Sequence, residues 1–218
     1  MGENFEDVVP PPSLPTSAAR VPMGWVIPRE SIDTNAVGFG IRVVQASQLA
    51  GVLPPSVARA EAQLAGTLLD PENGQPYLNE AQPGSEPDES HVEQETINFN
   101  QAPGGSAGSF GPDRLIPGLS ENGGNTDNLA MEVIAFVELP AGHHRWGIHS
   151  DDGFRLTLGV GDNPRDRTAR TLGVVDGGLA GQDTLFDFLI EKAGFYAVRL
   201  VWFESSGGAH VEWFTVDT

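Results

Sequence analysis

The chain has 218 residues and contains no cysteine. Disulfides, thiolate metal sites and cysteine nucleophiles are therefore excluded. Lysine occurs once, as Lys192, and 12 basic residues stand against 30 acidic ones, which gives a formal net charge of −18. A field of this sign repels phosphate backbones and anionic lipid surfaces and attracts cations, so neither nucleic acid nor a membrane is expected as a partner.

Long apolar runs are also missing, because no stretch approaches the roughly 18 residues that a membrane-spanning helix needs. The first seven residues, Met-Gly-Glu-Asn-Phe-Glu-Asp, contain neither a basic segment nor an apolar one. No signal peptide is expected in the chain as given. A secreted protein with this sequence would be a mature fragment or would use another export route.

Proline is concentrated at the start of the chain, and residues 1–35 are predicted to form an extended arm or linker. Residues 36–218 are long enough for one sizeable core and are predicted to be a single domain. Two placements of the arm remain open, since its apolar residues 25–27 can lie on the same domain or on a neighbouring subunit. The prolines are Pro10, Pro11, Pro12, Pro15, Pro22 and Pro28.

The first part of the domain contains few regular elements. Residues 38–46 are β-branched and bounded by glycine, which predicts a strand. Ser56 is a typical N-cap and predicts one short helix that ends near Gly66. Residues 70–95 include eight acidic residues and no lysine or arginine, and they are predicted to be a solvated surface loop. Residues 95–99 are a candidate second strand.

After residue 128, apolar and polar residues alternate in segments of about eight, separated by turn residues, as is typical of a β-sandwich. Seven strands are predicted here, and the first of them, which is apolar on nearly both faces, should be central. The fold class is therefore all-β, with about nine strands and one short helix. The predicted core comprises Trp146, Phe154, Leu156, Phe188, Tyr196, Leu200 and Trp202.

Two strings in the C-terminal half are distinctive. The first is Ser150-Asp151-Asp152-Gly153, which lies between two predicted strands, and the second is Ala193-Gly-Phe-Tyr-Ala-Val-Arg-Leu-Val-Trp-Phe-Glu204, followed by Gly207-Gly208. In this order and spacing they resemble the signature motif and the penultimate strand of PA14 domains. That family includes flocculins, other adhesins and modules of large secreted bacterial proteins. The resemblance covers residues 128–218 well and 36–127 loosely.

The residues themselves favour a calcium site. Calcium takes six to eight oxygen ligands from carboxylates and carbonyls on irregular loops, and Asp151 and Asp152 lie on such a loop. Glu204 continues the inward face of its strand past the last apolar residue, so it places a third carboxylate at the rim of the sandwich. The alternative remains that Asp151-Asp152-Gly153 is a plain turn, since Asp and Gly favour turns without any metal.

The resemblance adds further expectations. In sugar-binding relatives the bond between the two aspartates is cis, and carbonyls at the positions of Ser206 and Gly208 complete the calcium shell. Flocculins have asparagine at the position of Glu204, so the present site would carry three carboxylates. The resemblance implies a non-catalytic, calcium-assisted carbohydrate-binding or adhesion module that is secreted or lies on a cell surface and binds a glycan or surface polysaccharide.

No catalytic site is predicted. His143 and His149 share a strand face, but six residues separate them by roughly 20 Å, too far to bind one ion. His144 and His210 are expected to be lone residues, and the spacing of the many carboxylates selects no acid–base pair. An alternative to the binding module is a self-assembling structural subunit of an extracellular fibre or sheath. In that case the arm, residues 1–35, would dock on a neighbouring copy.

Overall fold

The structure is a computed structural model that describes residues 18–81, 91–101, 107–119 and 124–217. These residues form two β-sheets packed face to face, with one α-helix, α1 (Val57–Leu64). Among them, no helix is both long and apolar enough to cross a bilayer. The strands are β1 (Ala19–Val21), β2 (Phe39–Gln45), β3 (His91–Glu93), β4 (Asn98–Asn100), β5 (Leu129–Leu139), β6 (Gly142–Ser150), β7 (Phe154–Leu158), β8 (Arg170–Val175), β9 (Gln182–Ile190), β10 (Gly194–Glu204) and β11 (His210–Val216).

The two sheets have interleaved connectivity. The five-stranded sheet has the order β1-β9-β6-β11-β4, and the six-stranded sheet has the order β3-β2-β5-β10-β7-β8. The longest pairing joins β5 and β10, which run antiparallel from Gly194↔Leu139 to Glu204↔Leu129. The prediction that β5 is a central strand is confirmed. The β6–β7 turn and the end of β10 therefore lie near each other, because β7 pairs with β10 on its other side.

The inner faces of both sheets form the main core. All seven residues that the alternation placed in the core are buried, and Trp202, Tyr196 and Phe154 have no exposed surface. A second cluster covers the outer face of the six-stranded sheet, where α1 packs on β2, β5 and β10. This helix is the reason that β5 and β10 are apolar on both faces. Its members are Val44, Val57, Ala60, Leu64, Ala130, Val201 and Phe203.

Most of the predicted elements are present. The strand predicted at 38–46 is β2, and the seven strands predicted after residue 128 are β5 to β11. The N-cap prediction is also confirmed, because the Ser56 side chain accepts a hydrogen bond from the Arg59 amide at 3.2 Å. The all-β sandwich with one short helix is thus the observed architecture of the described residues.

Two strands were not predicted. Strand β1 lies inside the proline-rich arm and pairs in parallel with β9 through Ala19↔Phe188. Val21 and Ile27 are both buried, so the described part of the arm packs on its own sandwich. The prolines of residues 1–17 lie outside the described residues.

The other missed strand, β3, lies within the predicted acidic loop and pairs with β2. Residues 82–90 of that loop lie outside the described residues. The strand predicted at 95–99 is β4, which begins at Asn98. Both β3 and β4 have three residues, and a segment this short carries no recognisable alternation.

Candidate metal centre

Three carboxylates meet at one rim of the sandwich. Asp151 and Asp152 lie on the β6–β7 turn, and Glu204 is the last residue of β10. One oxygen from each lies within 4.8 Å of the other two. The parity argument that placed Glu204 at the rim is therefore confirmed, and the structure brings the three predicted side chains together.

The backbone of the turn explains how two adjacent aspartates face the same side. Asp152 adopts the left-handed conformation, with φ 49°, which aspartate tolerates better than most residues. The cis bond of the described residues is Gly111–Pro112, so the bond between Asp151 and Asp152 is trans and the cis bond implied by the resemblance is not found. The Ser150 hydroxyl donates to the Asp152 carbonyl at 3.0 Å and fixes this turn.

Glycine is required at the fourth position of the motif. A Cβ on Gly153 would lie 2.4 Å from the Val175 carbonyl oxygen and 2.5 Å from a Phe203 ring carbon. Both neighbours belong to strands of the six-stranded sheet, so neither can move without disturbing the ladder. The Ser-Asp-Asp-Gly string is therefore a structural unit whose last residue permits close packing.

Hydrogen bonds orient both aspartates. The Asp152 carboxylate accepts from the Ser205 amide at 2.7 Å and from the Leu179 amide at 3.2 Å. The indole of Trp202 donates to the Asp151 carbonyl at 2.9 Å. The turn is thus tied to the loop after β10 on one side and to residue 179 on the other, which presets the positions of the two carboxylates.

The carboxylate of Glu204 has an unusual environment. Its side chain is fully buried, and neither carboxylate oxygen accepts a hydrogen bond from any residue that the structure describes. Burial, and then the charges of Asp152 and Asp151, raise the pKa of Glu204 to about 9. A buried carboxylate that faces two others and has no partner is unfavourable unless it is protonated or bound to a cation.

Burial also raises the pKa of Asp151, and the charge of Asp152 adds to this, whereas His210 opposes it. Two of the three carboxyls in the cluster therefore hold their protons more tightly than in an unfolded chain. A divalent cation would relieve the repulsion that causes part of both shifts. The donor set consists of oxygens alone, which matches the preference of calcium.

The structure places Ser206 and Gly208 beside the cluster. The backbone amide of Ser206 lies near the Glu204 carboxylate and opposes the rise of its pKa, although its geometry is not that of a hydrogen bond. A Cβ on Gly208 would lie 2.6 Å from Asp151 Oδ2, so the glycine leaves room against that carboxylate. Ligation by the two carbonyls stays a prediction.

Sequence reasoning missed Arg59 of α1, which lies behind the cluster. Its guanidinium donates to the carbonyl of Glu204 at 3.2 Å and to the Ser205 hydroxyl at 3.1 Å. Burial lowers the pKa of Arg59 to about 10, and Asp152 and Glu204 oppose this shift. The N-cap at Ser56 located the helix, but only the packing of α1 on β10 reveals this contact.

The expectation that His210 is a lone residue is wrong. Its ring stacks on that of His149 with 5.1 Å between centroids, and its Nδ1 lies 4.0 Å from Asp151 Oδ2. His143 pairs with Asp187 and His149 with Asp183, so these two histidines do not share a partner. Only the register between β6 and β11 brings His149 and His210 together, and no local signal encodes it.

No family model matches the chain, and no curated protein matches its sequence. Solved structures do resemble it. A subtype-switched epithelial adhesin 9 A domain from Candida glabrata, in complex with β-lactose, aligns with a TM-score of 0.52 and 13% identity over 92% of this chain and 88% of that chain. The epithelial adhesin 9 A domain from the same yeast, in complex with Galβ1-4GlcNAc, has a TM-score of 0.51 and 12% identity over 91% and 87%.

A PA14 sugar-binding domain from an RTX adhesin aligns with a TM-score of 0.48 and 18% identity over 83% of this chain and 91% of that chain. At these identities the two Candida adhesin domains establish the fold alone. The shared architecture consists of two packed sheets in an all-β domain. The chain therefore has the PA14-like β-sandwich fold that its Ser-Asp-Asp-Gly string predicted.

Proposed function

We propose that the chain is a non-catalytic, calcium-assisted carbohydrate-binding or adhesion module of a secreted or cell-surface protein. The observation that carries this proposal is Glu204, a fully buried carboxylate with no hydrogen-bond partner that lies beside Asp151 and Asp152. A plain turn explains the two aspartates, but it does not explain why an unpaired glutamate is buried against them.

Calcium would be held by the carboxylates of Asp151, Asp152 and Glu204 and by the backbone carbonyls of Ser206 and Gly208. When bound, the ion would neutralise part of the negative charge and offer free coordination positions to hydroxyl oxygens. Five protein ligands leave about one to three positions in a shell of six to eight. Gly208 has no side chain to cover them.

The chain's own residues prepare the site. Asp152 accepts backbone amides on both of its oxygens, and Trp202 fixes the carbonyl of Asp151. These contacts hold the carboxylates in place before a ligand arrives, which lowers the entropy that binding would otherwise lose. A carboxylate that is fixed as an acceptor on both oxygens is suited to ligation rather than to proton exchange, and this favours binding over catalysis.

A glycan ligand is supported by the ligands of the adhesin structures with the same fold, which hold β-lactose and Galβ1-4GlcNAc. The net charge of −18 favours a neutral sugar over an acidic one at an already acidic rim. An extracellular or cell-surface location follows from this role.

A glycan screen in calcium-containing and calcium-free buffer tests the proposal. We expect binding of at least one neutral glycan with calcium and none without it, and we expect Asp152→Asn to abolish it. The matched control is Asp162→Asn, which changes an exposed aspartate on another loop. Glycan binding that persists in calcium-free buffer would contradict the role of the ion.

The alternative is a fibre subunit that docks its arm on a neighbouring copy. The described part of the arm, residues 18–35, pairs within its own chain through β1 and through the bridge Ile27↔Phe195. Self-assembly would therefore have to use residues 1–17. Light scattering of a variant that lacks these residues separates the two functions. A binding module should keep the same oligomeric state after the deletion, whereas a fibre subunit should no longer assemble.

A further inference from the structure

A second site lies on the outer face of the six-stranded sheet, away from the acidic rim. A cavity of about 550 Å³ opens there between the C-terminal end of α1 and the loop 159–169. Strand pairing places Arg42 opposite Glu132 and Arg199 opposite Thr157. These positions alternate with core residues such as Leu200, so their side chains leave the sheet on the side that carries α1.

Arginine is concentrated in this cavity, which we call the arginine cavity. The chain has eleven arginines, because one of its twelve basic residues is lysine, and five of the eleven line the cavity. Three acidic residues line it too, so its formal charge is 5 − 3 = +2 in a chain of charge −18. The arginines are Arg42, Arg155, Arg165, Arg167 and Arg199, and the acids are Glu61, Glu132 and Asp166.

Two of the acidic residues form ion pairs with three of the arginines. Arg199 donates to both oxygens of Glu61 at 2.6 and 2.8 Å and to Glu132 at 2.5 Å. Arg165 binds Glu132 through its Nε at 2.8 Å, and Arg155 binds Glu61. Three guanidinium groups on two carboxylates leave one positive charge in excess, and the shared pairs fix the planes of the guanidinium groups.

The remaining donors are free. Arg42 and Arg167 make no ion pair or side-chain hydrogen bond within the described part of the chain, and the buried Nε of Arg155 has no partner. Asp166 offsets one positive charge without pairing with an arginine, because its carboxylate accepts from the amide and hydroxyl of Thr168 at 2.7 and 2.6 Å. Arg42 and Arg167 therefore carry the positive charge that the ion pairs of the cavity leave over.

Hydrogen bonds hold the loop 159–169 that closes the cavity. The Gly159 amide donates to the Ala197 carbonyl at 2.8 Å, and the Asn163 side chain accepts from the Arg165 amide at 3.1 Å. A Cβ on Gly159 would lie 2.2 Å from the Asn163 carbonyl oxygen. These contacts place Arg165 and Arg167 over the face that carries Arg42 and Arg155.

We propose that the arginine cavity binds a small ligand through a compact oxyanion, which is a carboxylate, sulfate or phosphate group. Guanidinium groups that are planar and fixed in direction recognise such groups with paired hydrogen bonds. Arg42 and Arg167 supply the free donors. Glu61 and Glu132 keep the other guanidinium groups in position and limit the excess charge.

This site is separate from the acidic rim. Arg199 leaves β10 on the outer face, whereas Glu204 leaves it on the inner face, and the cluster of Asp151, Asp152 and Glu204 shares no side chain with the cavity. Anion binding therefore needs no calcium and does not depend on the function proposed for the rim.

The test is calorimetric titration of the whole chain, in buffer freed of calcium on a chelating resin, with sodium sulfate, sodium phosphate and sodium glucuronate. Glucose and sodium chloride at equal ionic strength are the controls. We expect at least one oxyanion to bind with a stoichiometry of one and glucose not to bind. Arg42→Gln and Arg167→Gln should each weaken binding about tenfold, because each removes charged donors.

Arg20→Gln is the matched control, since Arg20 is exposed on β1, and it should bind like the parent. Neither Arg42 nor Arg167 has a partner to lose among the described residues, and the melting temperature without ligand checks that both variants fold. Asp152→Asn should leave anion binding unchanged. The proposal is overturned if no oxyanion binds, if chloride at equal ionic strength competes fully, or if the Arg42→Gln/Arg167→Gln double variant binds as well as the parent.

Discussion

The unpaired carboxylate of Glu204 makes stability depend on pH in a way that calcium should abolish. In the calcium-free protein the pKa of Glu204 is about 9, against 4.5 in the unfolded chain. A raised pKa means that the folded state holds one more proton between these two values. The stabilisation that this proton contributes is therefore fully present below pH 4.5, and it is lost at about 1.4 kcal/mol per pH unit between the two pKa values.

The window from pH 7 to pH 9 lies above the range in which His210 and the carboxyls with lowered pKa values affect stability. The lowered pKa values of Asp113, Asp187 and Glu132 act below pH 4.5, and that of His210 acts below pH 6.5. Because the slope flattens as the pH approaches 9, the loss from Glu204 between pH 7 and pH 9 amounts to about 2 kcal/mol. For a chain of this size this loss lowers the melting temperature by about 4–8 °C.

The assay is urea unfolding at pH 7, 8 and 9, with resin-treated buffer and with saturating calcium. Calcium should remove the slope because the bound carboxylate is ionised at every pH in the window. Glu204→Gln should remove it without calcium. Glu212→Gln is the control, since Glu212 is also buried but accepts the Ser109 and Phe110 amides at 3.0 Å. A flat profile for the calcium-free parent would refute the reasoning.

Three further predictions concern the fold around the site, and unfolding free energies measure all of them. Trp202→Ala should lower the unfolding free energy by about 3–5 kcal/mol because the side chain is fully buried. Leu185→Ala, at an exposed position, should change it by no more than about 0.5 kcal/mol. Equal losses would show that the inner and outer faces are misassigned. Gly153→Ala should cost about 1–3 kcal/mol through its clash with Val175 and Phe203, and Gly177→Ala, whose Cβ meets nothing within 4 Å, should change little; a silent Gly153→Ala would contradict the close packing of the turn. Ile27→Ala should lower the unfolding free energy by about 2–5 kcal/mol because the arm packs on its own sandwich. Val37→Ala, at an exposed site, is the control. A loss that depends on protein concentration would indicate docking between copies instead.

Much of the fold could be predicted because its C-terminal half has a strict period of two. The alternation from Tyr196 to Trp202 gave the face of β10 that enters the main core, and the same parity placed Glu204 at the rim. Strand β1 could not be predicted, because three residues in a proline-rich segment become a strand only through pairing with β9. Tertiary pairing decided this element, and local propensity did not.

The three carboxylates of the cluster could be predicted from the sequence, but their geometry could not. The Ser-Asp-Asp-Gly string and the parity of Glu204 identified the three carboxylates, yet the left-handed conformation of Asp152 replaces the cis bond that the resemblance implied. Arg59 and His210 reach the cluster through the packing of α1 and the register of β11. Contacts of this kind depend on residues far apart in the sequence, and no local pattern specifies them.

The most direct test of the calcium site is a calcium titration of the unfolding free energy. The parent should bind one ion per chain and gain about 2.7 kcal/mol at a free calcium concentration 100 times the dissociation constant. Magnesium should stabilise less, because it prefers a tight octahedral shell. The Asp151→Ala/Asp152→Ala double variant should lose the gain, whereas diffuse binding to the acidic segment 70–95 would survive these changes. A double variant that calcium stabilises as strongly as the parent would contradict a calcium site at Asp151, Asp152 and Glu204.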